Sequence, residues 1–402
     1  MAEISGLPDD LLVKILAFLP TKVAISTSVL SKQWRFLWMW LPKLKYDDYD
    51  DITDGFNSVS AFQTYRDFIA KNLPLHRAPI IESLSLGFRC GTLQPEDLKS
   101  WVEVAVSRSV RELSILAYYR NNYALSSSSL YTCKSLVTLK GFNIRVDVPP
   151  TVCLLPSLRT LELKRVRYLN EDSLRMLLSF CPVLEYLSIE RHDNDNLRGL
   201  VVDVPSLRRL SLTSYTGCSS DDYVIVTPSL KYFKAFDYRS EISSYKIEKI
   251  PELEEADISI ERNPEKLFVY FKSIKCLSLQ VDFNSKEEPG YDSGIVFNHL
   301  EELTPYINDA NWSKLLFRLL NDSPKLRVLE ISNSKSFYKE KIGEYLPVSW
   351  SKNQGSVPKC FLNSLETFRV KWYYSEEQED RDFLSLIFKH ARCLKSTSIL
   401  HR

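Results

Sequence analysis

SLRTLELKRV (Ser157–Val166), VLEYLSIERH (Val183–His192), SLRRLSLTSY (Ser206–Tyr215) and KLRVLEISNS (Lys325–Ser334) carry one recurring pattern, S-L-x-x-L-x-L. Alternation of apolar and other residues is the signature of a short strand with one buried face. The first apolar residue of each unit gives the series Ile81, Val110, Leu136, Leu158, Leu184, Leu207, Leu230, Leu253, Ile274, Leu300, Leu326, Leu365 and Leu394. The steps are mostly 21 to 29 residues. A unit of that size cannot bury its apolar face alone, so neighbours must stack to make a continuous core. The spacing therefore predicts an α/β solenoid, one strand and one returning segment per unit.

The period is that of leucine-rich repeats, expected here over residues 77–334. The array is irregular. Gly141, Ala256, Pro305 and Thr397 stand where a large apolar residue is wanted, and Pro305 argues against a regular strand in its unit. Asn170–Leu187 has helical spacing through Leu174, Leu177 and Leu178, whereas the stretch between Leu207 and Leu230 reads as extended and turn-rich. Helices are expected in only some repeats. The step from Leu326 to Leu365 is 39 residues, which places an insertion, residues 335–356, before the last two units.

Upstream of the repeats, ISGLPDDLLVKILAFLP (Ile4–Pro20) is patterned as a helix, with Asp9 and Asp10 in its first turn after Pro8. Leu11, Leu12, Ile15, Leu16 and Leu19 form an apolar stripe, and Pro20 ends the helix. Thr21 is placed to cap a second helix through Ala24, Ile25, Ser28 and Val29; Trp34, Leu37, Trp38, Trp40 and Leu41 carry a third. So short a segment cannot cover these side chains by itself. A partner or the following domain must do so.

LPDDLLVKILAFLP, the spacing to LSKQW, and WRFLW resemble the F-box, residues 1–45 here. The resemblance implies docking onto a Skp-family adaptor, and through it onto the cullin and RING subunits of a ubiquitin ligase. By position it implies docking residues Leu7, Pro8, Leu11, Leu12, Ile15, Leu16, Leu19, Leu30, Ser31, Trp34 and Trp38. The other reading of the same stripe is the core of a small helical domain. Val357–Leu400 resembles the FBD module of plant-type F-box proteins with leucine-rich repeats, and Asp97–Ile115 and Leu130–Gly141 resemble that family too. The expected order is then F-box; acidic linker and connecting helix, 46–76; repeats; insertion; and FBD module, 357–402. In the family the module ordinarily continues past the strand at Ile399, so a shortened C-terminus is expected here.

Composition narrows the function. The 52 basic and 51 acidic side chains nearly cancel, against a global electrostatic grip on nucleic acid. The acidic run from Tyr46, YDDYDDITDG, lacks the ligand spacing of a calcium loop and reads as a solvated linker and hinge. The eight cysteines form no C-x-x-C pair and do not cluster with histidine, so reduced core thiols are expected rather than a zinc site. No apolar run is long enough to span a membrane. Phosphate-binding glycine loops, G-x-S-x-G and H-E-x-x-H are absent. A non-catalytic protein without metal or cofactor is expected, intracellular, in the nucleus, the cytoplasm or both.

A protein substrate would meet the x positions of the strands, which face away from the core. Across neighbouring repeats these align as Thr160, Tyr186, Arg209, Tyr232, Glu255 and, further along each strand, Lys234 and Phe236. Tyr186, Arg209, Tyr232, Lys234 and Phe236 make a candidate binding patch, tyrosine and arginine being common anchors of interfaces. The alternative is that Tyr232 and Phe236 cover a poorly formed repeat. Two other functions share the adaptor-binding head: a scaffold that promotes no degradation, and a receptor completed by a small molecule.

Overall fold

The structure, a computed structural model, describes residues 6–47, 59–88, 94–118, 123–149, 154–193, 195–219, 221–239, 245–248, 250–260, 265–281, 295–307, 312–333, 350, 357–372 and 378–401. The chain divides into two compact units, Met1–Arg198 with Val202–Leu207, and Gly199–Val201 with Arg208–Arg402.

The first unit opens with helices α1 (Asp9–Leu16) and α2 (Thr21–Ser26), then 3-10 turns over Thr27–Val29 and Trp34–Trp40. The third predicted helix is thus a 3-10 helix. Trp34 and Leu37 stand three residues apart, so both project to the same side of it and are buried with Trp38. Thr21 does not cap α2. Pro20 holds that position, and the buried Thr21 hydroxyl instead accepts the Lys45 N–H at 2.8 Å.

That hydrogen bond positions a strand missed in the sequence, β1 (Lys43–Asp47), in which Leu44 and Tyr46 are buried. Tyr46 and Asp47, expected to open the acidic linker, are part of it; residues 48–58 of that linker lie outside the described residues. The connecting helix is α3 (Val59–Asn72). β2 (Ser83–Phe88), helix α4 (Pro95–Ser107), β3 (Glu112–Ala117), β4 (Ala124–Leu125), β5 (Thr138–Phe142), β6 (Arg145–Val146), β7 (Thr160–Lys164), β8 (Arg167–Tyr168), helix α5 (Ser173–Ser179) and β9 (Tyr186–Glu190) follow. The parallel order is β1-β2-β3-β5-β7-β9, with β4-β6-β8 as a small ladder on the returning segments. Arg66 of α3 holds Asp97 of α4 through two bonds of 2.6 and 2.9 Å.

After β10 (Leu200–Asp203), the second unit runs β11 (Arg209–Ser214), β12 (Tyr223–Val226), β13 (Tyr232–Asp237), β14 (Tyr245–Ile247), β15 (Glu255–Ile260), helix α6 (Glu265–Phe268), β16 (Cys276–Val281) and β17 (Glu302–Ile307). It ends with helix α7 (Trp312–Asn321), β18 (Val328–Asn333), helices α8 (Lys359–Asn363) and α9 (Gln378–His390) around β19 (Thr367–Trp372), and β20 (Ser396–His401). The order β11-β13-β15-β16-β17-β18-β19-β20 is parallel throughout, and β12 pairs with β14. The stretch between Leu207 and Leu230 is extended as expected, since it supplies β12.

Every residue of the predicted leucine series lies two positions before a strand of the main sheet, and all but the half-buried Leu394 are fully buried. The irregular units have particular causes. A Cβ on Gly141 would lie 2.7 Å from Ile144 Cδ1, so Ile144 fills the place of the missing side chain. Pro305 does not abolish its strand, contrary to expectation. β17 forms and pairs Leu279 with Pro305, and the absent N–H shows instead as a break in the register with β18 between Leu303 and Tyr306. Of the insertion only Trp350 is described, buried with its ring 4.8 Å from that of Phe383.

A row of charged side chains lines the edge where the second unit's strands begin: Arg208, Lys231, Glu254, Lys275, Glu301, Arg327, Glu366 and Lys395. Each carbonyl in the row before the last accepts two N–H groups from the next repeat, as Arg208 does from Lys231 (2.9 Å) and Tyr232 (3.1 Å). This backbone geometry sets successive members of the row side by side.

Candidate functional site

In the helical head, packing divides the apolar stripe into two. Leu12 and Leu16 of α1 are fully buried, and Trp34 and Trp38 are buried on the 3-10 helix that packs against α1. These four, read from the sequence as docking residues, are the head's own core. Leu11, Ile15, Leu19 and Leu30 are exposed, Pro8 is exposed at the start of α1, and Leu7 and Ser31 are half-buried. Gln33 fixes the entry to α1, its Nε2 donating to the Leu7 carbonyl at 3.2 Å and to Asp9 Oδ1 at 3.0 Å. The Ser31 Oγ accepts the Trp34 N–H at 3.4 Å.

The head also exposes apolar residues that were not among the expected docking residues. Phe18 is 89% exposed and Val29 85%; Val23, Phe36 and Trp40 are exposed as well. Phe18, Val23 and Phe36 fall beside the periodic series, whereas Val29 and Trp40 were read as part of the second and third helices and not as docking residues. A cluster of large exposed apolar side chains within one short segment marks an interaction surface.

His76 ties the head to the first repeats from beneath. It is buried, its ring is edge-on to Trp38 at 5.3 Å, and its Nε2 lies 3.0 Å from the Tyr46 hydroxyl. Burial pushes the imidazole down to about 4, opposed by a backbone hydrogen bond at Met39 and helped by the Arg108 charge. At neutral pH the ring is uncharged, and its Nε2 shares a hydrogen bond with the Tyr46 hydroxyl in which the tautomer decides the donor.

On the outward face of β11 and β13, the register sets Arg209 beside Tyr232, Ser211 beside Lys234 and Thr213 beside Phe236. The Arg209 guanidinium stacks on the Tyr232 ring, 4.5 Å from its centroid. Lys234 Nζ lies 2.6 Å from Asp257 Oδ2 and 5.5 Å from the Phe236 ring centre. Burial raises the Tyr232 phenol, and the Asp257 charge adds to this, so it stays protonated. Tyr186 stands on β9 of the first unit, half-buried. On the inner side of β13, Phe233 packs against Phe271 at 6.2 Å and Ala235 is fully buried, so this repeat closes without help from Tyr232 or Phe236.

Among the described residues no group of three or more His, Cys, Asp or Glu could hold a metal ion. Cys133, Cys181, Cys218 and Cys360 are buried free thiols, whereas Cys276 and Cys393 are half-buried; Cys90 and Cys153 lie outside the described residues. Burial pushes the Cys181 and Cys360 thiols up to about 12. No helix among the described residues is long and apolar enough to cross a membrane.

A helical head with an exposed apolar surface, joined to stacked strand repeats, defines a binding protein of the F-box and leucine-rich-repeat class. The F-box domain model matches residues 4–46, the model of the leucine-rich repeats of the FBD-associated F-box protein At5g56370 matches 98–289, and the FBD model matches 353–399. The chain belongs to the FBD-associated F-box, or F-box/FBD/LRR-repeat, family. It is 62% identical to the Arabidopsis thaliana FBD-associated F-box protein At5g56700, over 100% of this chain and 98% of that one. It is also 51% identical to the Arabidopsis thaliana FBD-associated F-box protein At5g60610, over 100% of both chains.

Proposed function

We propose that this chain is the substrate-recognition subunit of a ubiquitin ligase of the Skp, cullin and F-box type. The head docks on the Skp-family adaptor and the repeats hold a protein substrate. The observation that carries this reading is the exposure of Phe18, Val29 and Leu30 within the segment that matches the F-box. Docking contacts then come from Leu7, Pro8, Leu11, Ile15, Phe18, Leu19, Leu30 and Ser31, with Leu12, Leu16, Trp34 and Trp38 supporting them from the core. Residues 1–45, 46–76, 77–334, 335–356 and 357–402 serve as head, linker, repeats, insertion and FBD module.

Such a subunit performs no bond chemistry of its own. It raises the local concentration of a substrate lysine near the thioester carried by a conjugating enzyme, converting a bimolecular encounter into one within a complex. The same reading implies work inside the cell, in the nucleus, the cytoplasm or both.

Co-expression with a Skp-family adaptor and size-exclusion chromatography test the proposal. A one-to-one complex is expected, lost in Leu7→Ala with Pro8→Ala and in Phe18→Ala with Leu30→Ala while the variants stay folded. A folded chain that elutes apart from every adaptor tried would overturn it.

A further inference from the structure

We propose that the break in the charged row of the second unit, Arg208 beside Lys231 with Arg209 stacked on Tyr232, is where the repeats hold an acidic, carboxylate-bearing segment of a protein partner. The proposal rests on the receptor reading and names the chemistry its substrate must carry.

Elsewhere in the row most neighbours of opposite sign pair, although Lys231 beside Glu254 and Lys275 beside Glu301 do not reach ion-pair distance. Glu254 lies 3.5 Å from Lys275, Glu301 3.9 Å from Arg327, Arg327 3.1 Å from Glu366, and Glu366 3.0 Å from Lys395. Arg208 and Lys231 break this alternation. They are exposed, of one sign and adjacent, held so by the bonds from Lys231 and Tyr232 to the Arg208 carbonyl. Among the described residues neither has a carboxylate within ion-pair distance. Like charges side by side on neighbouring strands destabilise a sheet, so the fold gains nothing from this pair.

Arg209, the next residue, adds a third cation on the outward face. Its guanidinium carbon lies over the Tyr232 ring, 4.5 Å from the centroid, and among the described residues it makes no ion pair, so its N–H groups can meet a carboxylate. Lys234 differs, because Asp257 at 2.6 Å already neutralises it. The free positive charge of this face is therefore at Arg208, Arg209 and Lys231.

The three cations are spread over two strands about 4.8 Å apart rather than converging on one point. An extended peptide presents same-side residues about 6.6 Å apart, so carboxylates at alternate positions can each meet a cation. A single phosphate would need donors that converge. Tyr232 offers the apolar contact that a charged row lacks, in a residue type common at interface anchors.

Fluorescence anisotropy on the full-length chain provides the test, with three fluorescein-labelled peptides of about 12 residues. One carries Glu at alternate positions, one Gln at those positions, and one a single phosphoserine among the Gln. The Glu peptide is expected to bind at least about tenfold tighter than either other. Arg208→Gln with Lys231→Gln should weaken it by a similar factor while the melting temperature stays level or rises; a merely structural pair would lower the melting temperature instead. Lys325→Gln, on an exposed lysine several repeats further along the same unit, should leave affinity unchanged. Equal binding of the Gln peptide, tightest binding of the phosphoserine peptide, or full affinity in the double variant would each overturn the inference. Adaptor co-elution on the same preparation separates the two readings: failure of the Glu peptide with the adaptor still bound sinks this inference alone.

Discussion

Arg239 and Asp237 show how one residue pair can anchor a repeat. Arg239 is buried beneath the Tyr223 ring, 3.8 Å from its centre, and bonds Asp237 at 2.7 and 2.8 Å, while the Tyr245 hydroxyl donates to the same carboxylate at 2.7 Å. Its remaining donors reach the Ser219 and Asp221 carbonyls. Burial alone would raise the Asp237 carboxyl, and the bonds and charge of Arg239 outweigh it, so the group titrates below its usual range. Its contribution is thus complete above the unfolded carboxylate value near 3.9 and is lost as pH falls below it. Asp237→Asn leaves a buried guanidinium unpaired and should cost about 3–5 kcal/mol, read by urea unfolding at neutral pH. His76 acts at a higher pH. With the folded value near 4 and the unfolded one near 6.5, stability is complete above pH 6.5 and falls as pH drops toward 4, by up to about 3 kcal/mol. His76→Phe should flatten that part of a melting-temperature profile between pH 7.5 and 4.5. At neutral pH it should cost about 1–2 kcal/mol, because the Tyr46 hydroxyl loses its partner.

At the scale of elements, α1 separates what holds the head together from what it offers. Leu12→Ala removes a fully buried side chain and should cost about 3 kcal/mol. Phe18→Ala should leave the melting temperature unchanged and weaken adaptor binding at least about tenfold, measured by titration calorimetry. The stripe was legible in the sequence; its division was not, because helical spacing gives the direction of a side chain without the identity of what covers it. In β5, Gly141 and Ile144 share one space. Gly141→Leu should destabilise by about 1–3 kcal/mol, and adding Ile144→Ala should recover most of the loss in thermal melts.

For the whole molecule, repeat architecture makes stability a sum over neighbours. Leu329→Asp, placing a charge in the buried face of β18, should open the second unit to protease while adaptor co-elution, a property of the head, persists. The leucine series and its period determined the strands of the main sheet after β1, since an apolar residue at a fixed distance before each strand needs no knowledge of its neighbours. F-box and FBD patterns were equally local and equally legible. Three things only the tertiary structure decided. β1 exists because the Thr21 hydroxyl and the edge of β2 receive it, partners remote in sequence. Pro305 remains in a strand because β16 still pairs with it, the missing donor falling on the β18 side. Among the described residues Arg208, Arg209 and Lys231 have no ion pair whereas Lys234 does, because only the stacking of repeats settles which carboxylate reaches which base. Sequence fixes the period of a solenoid through local burial, and the pairing of charges across it waits on the register that folding creates.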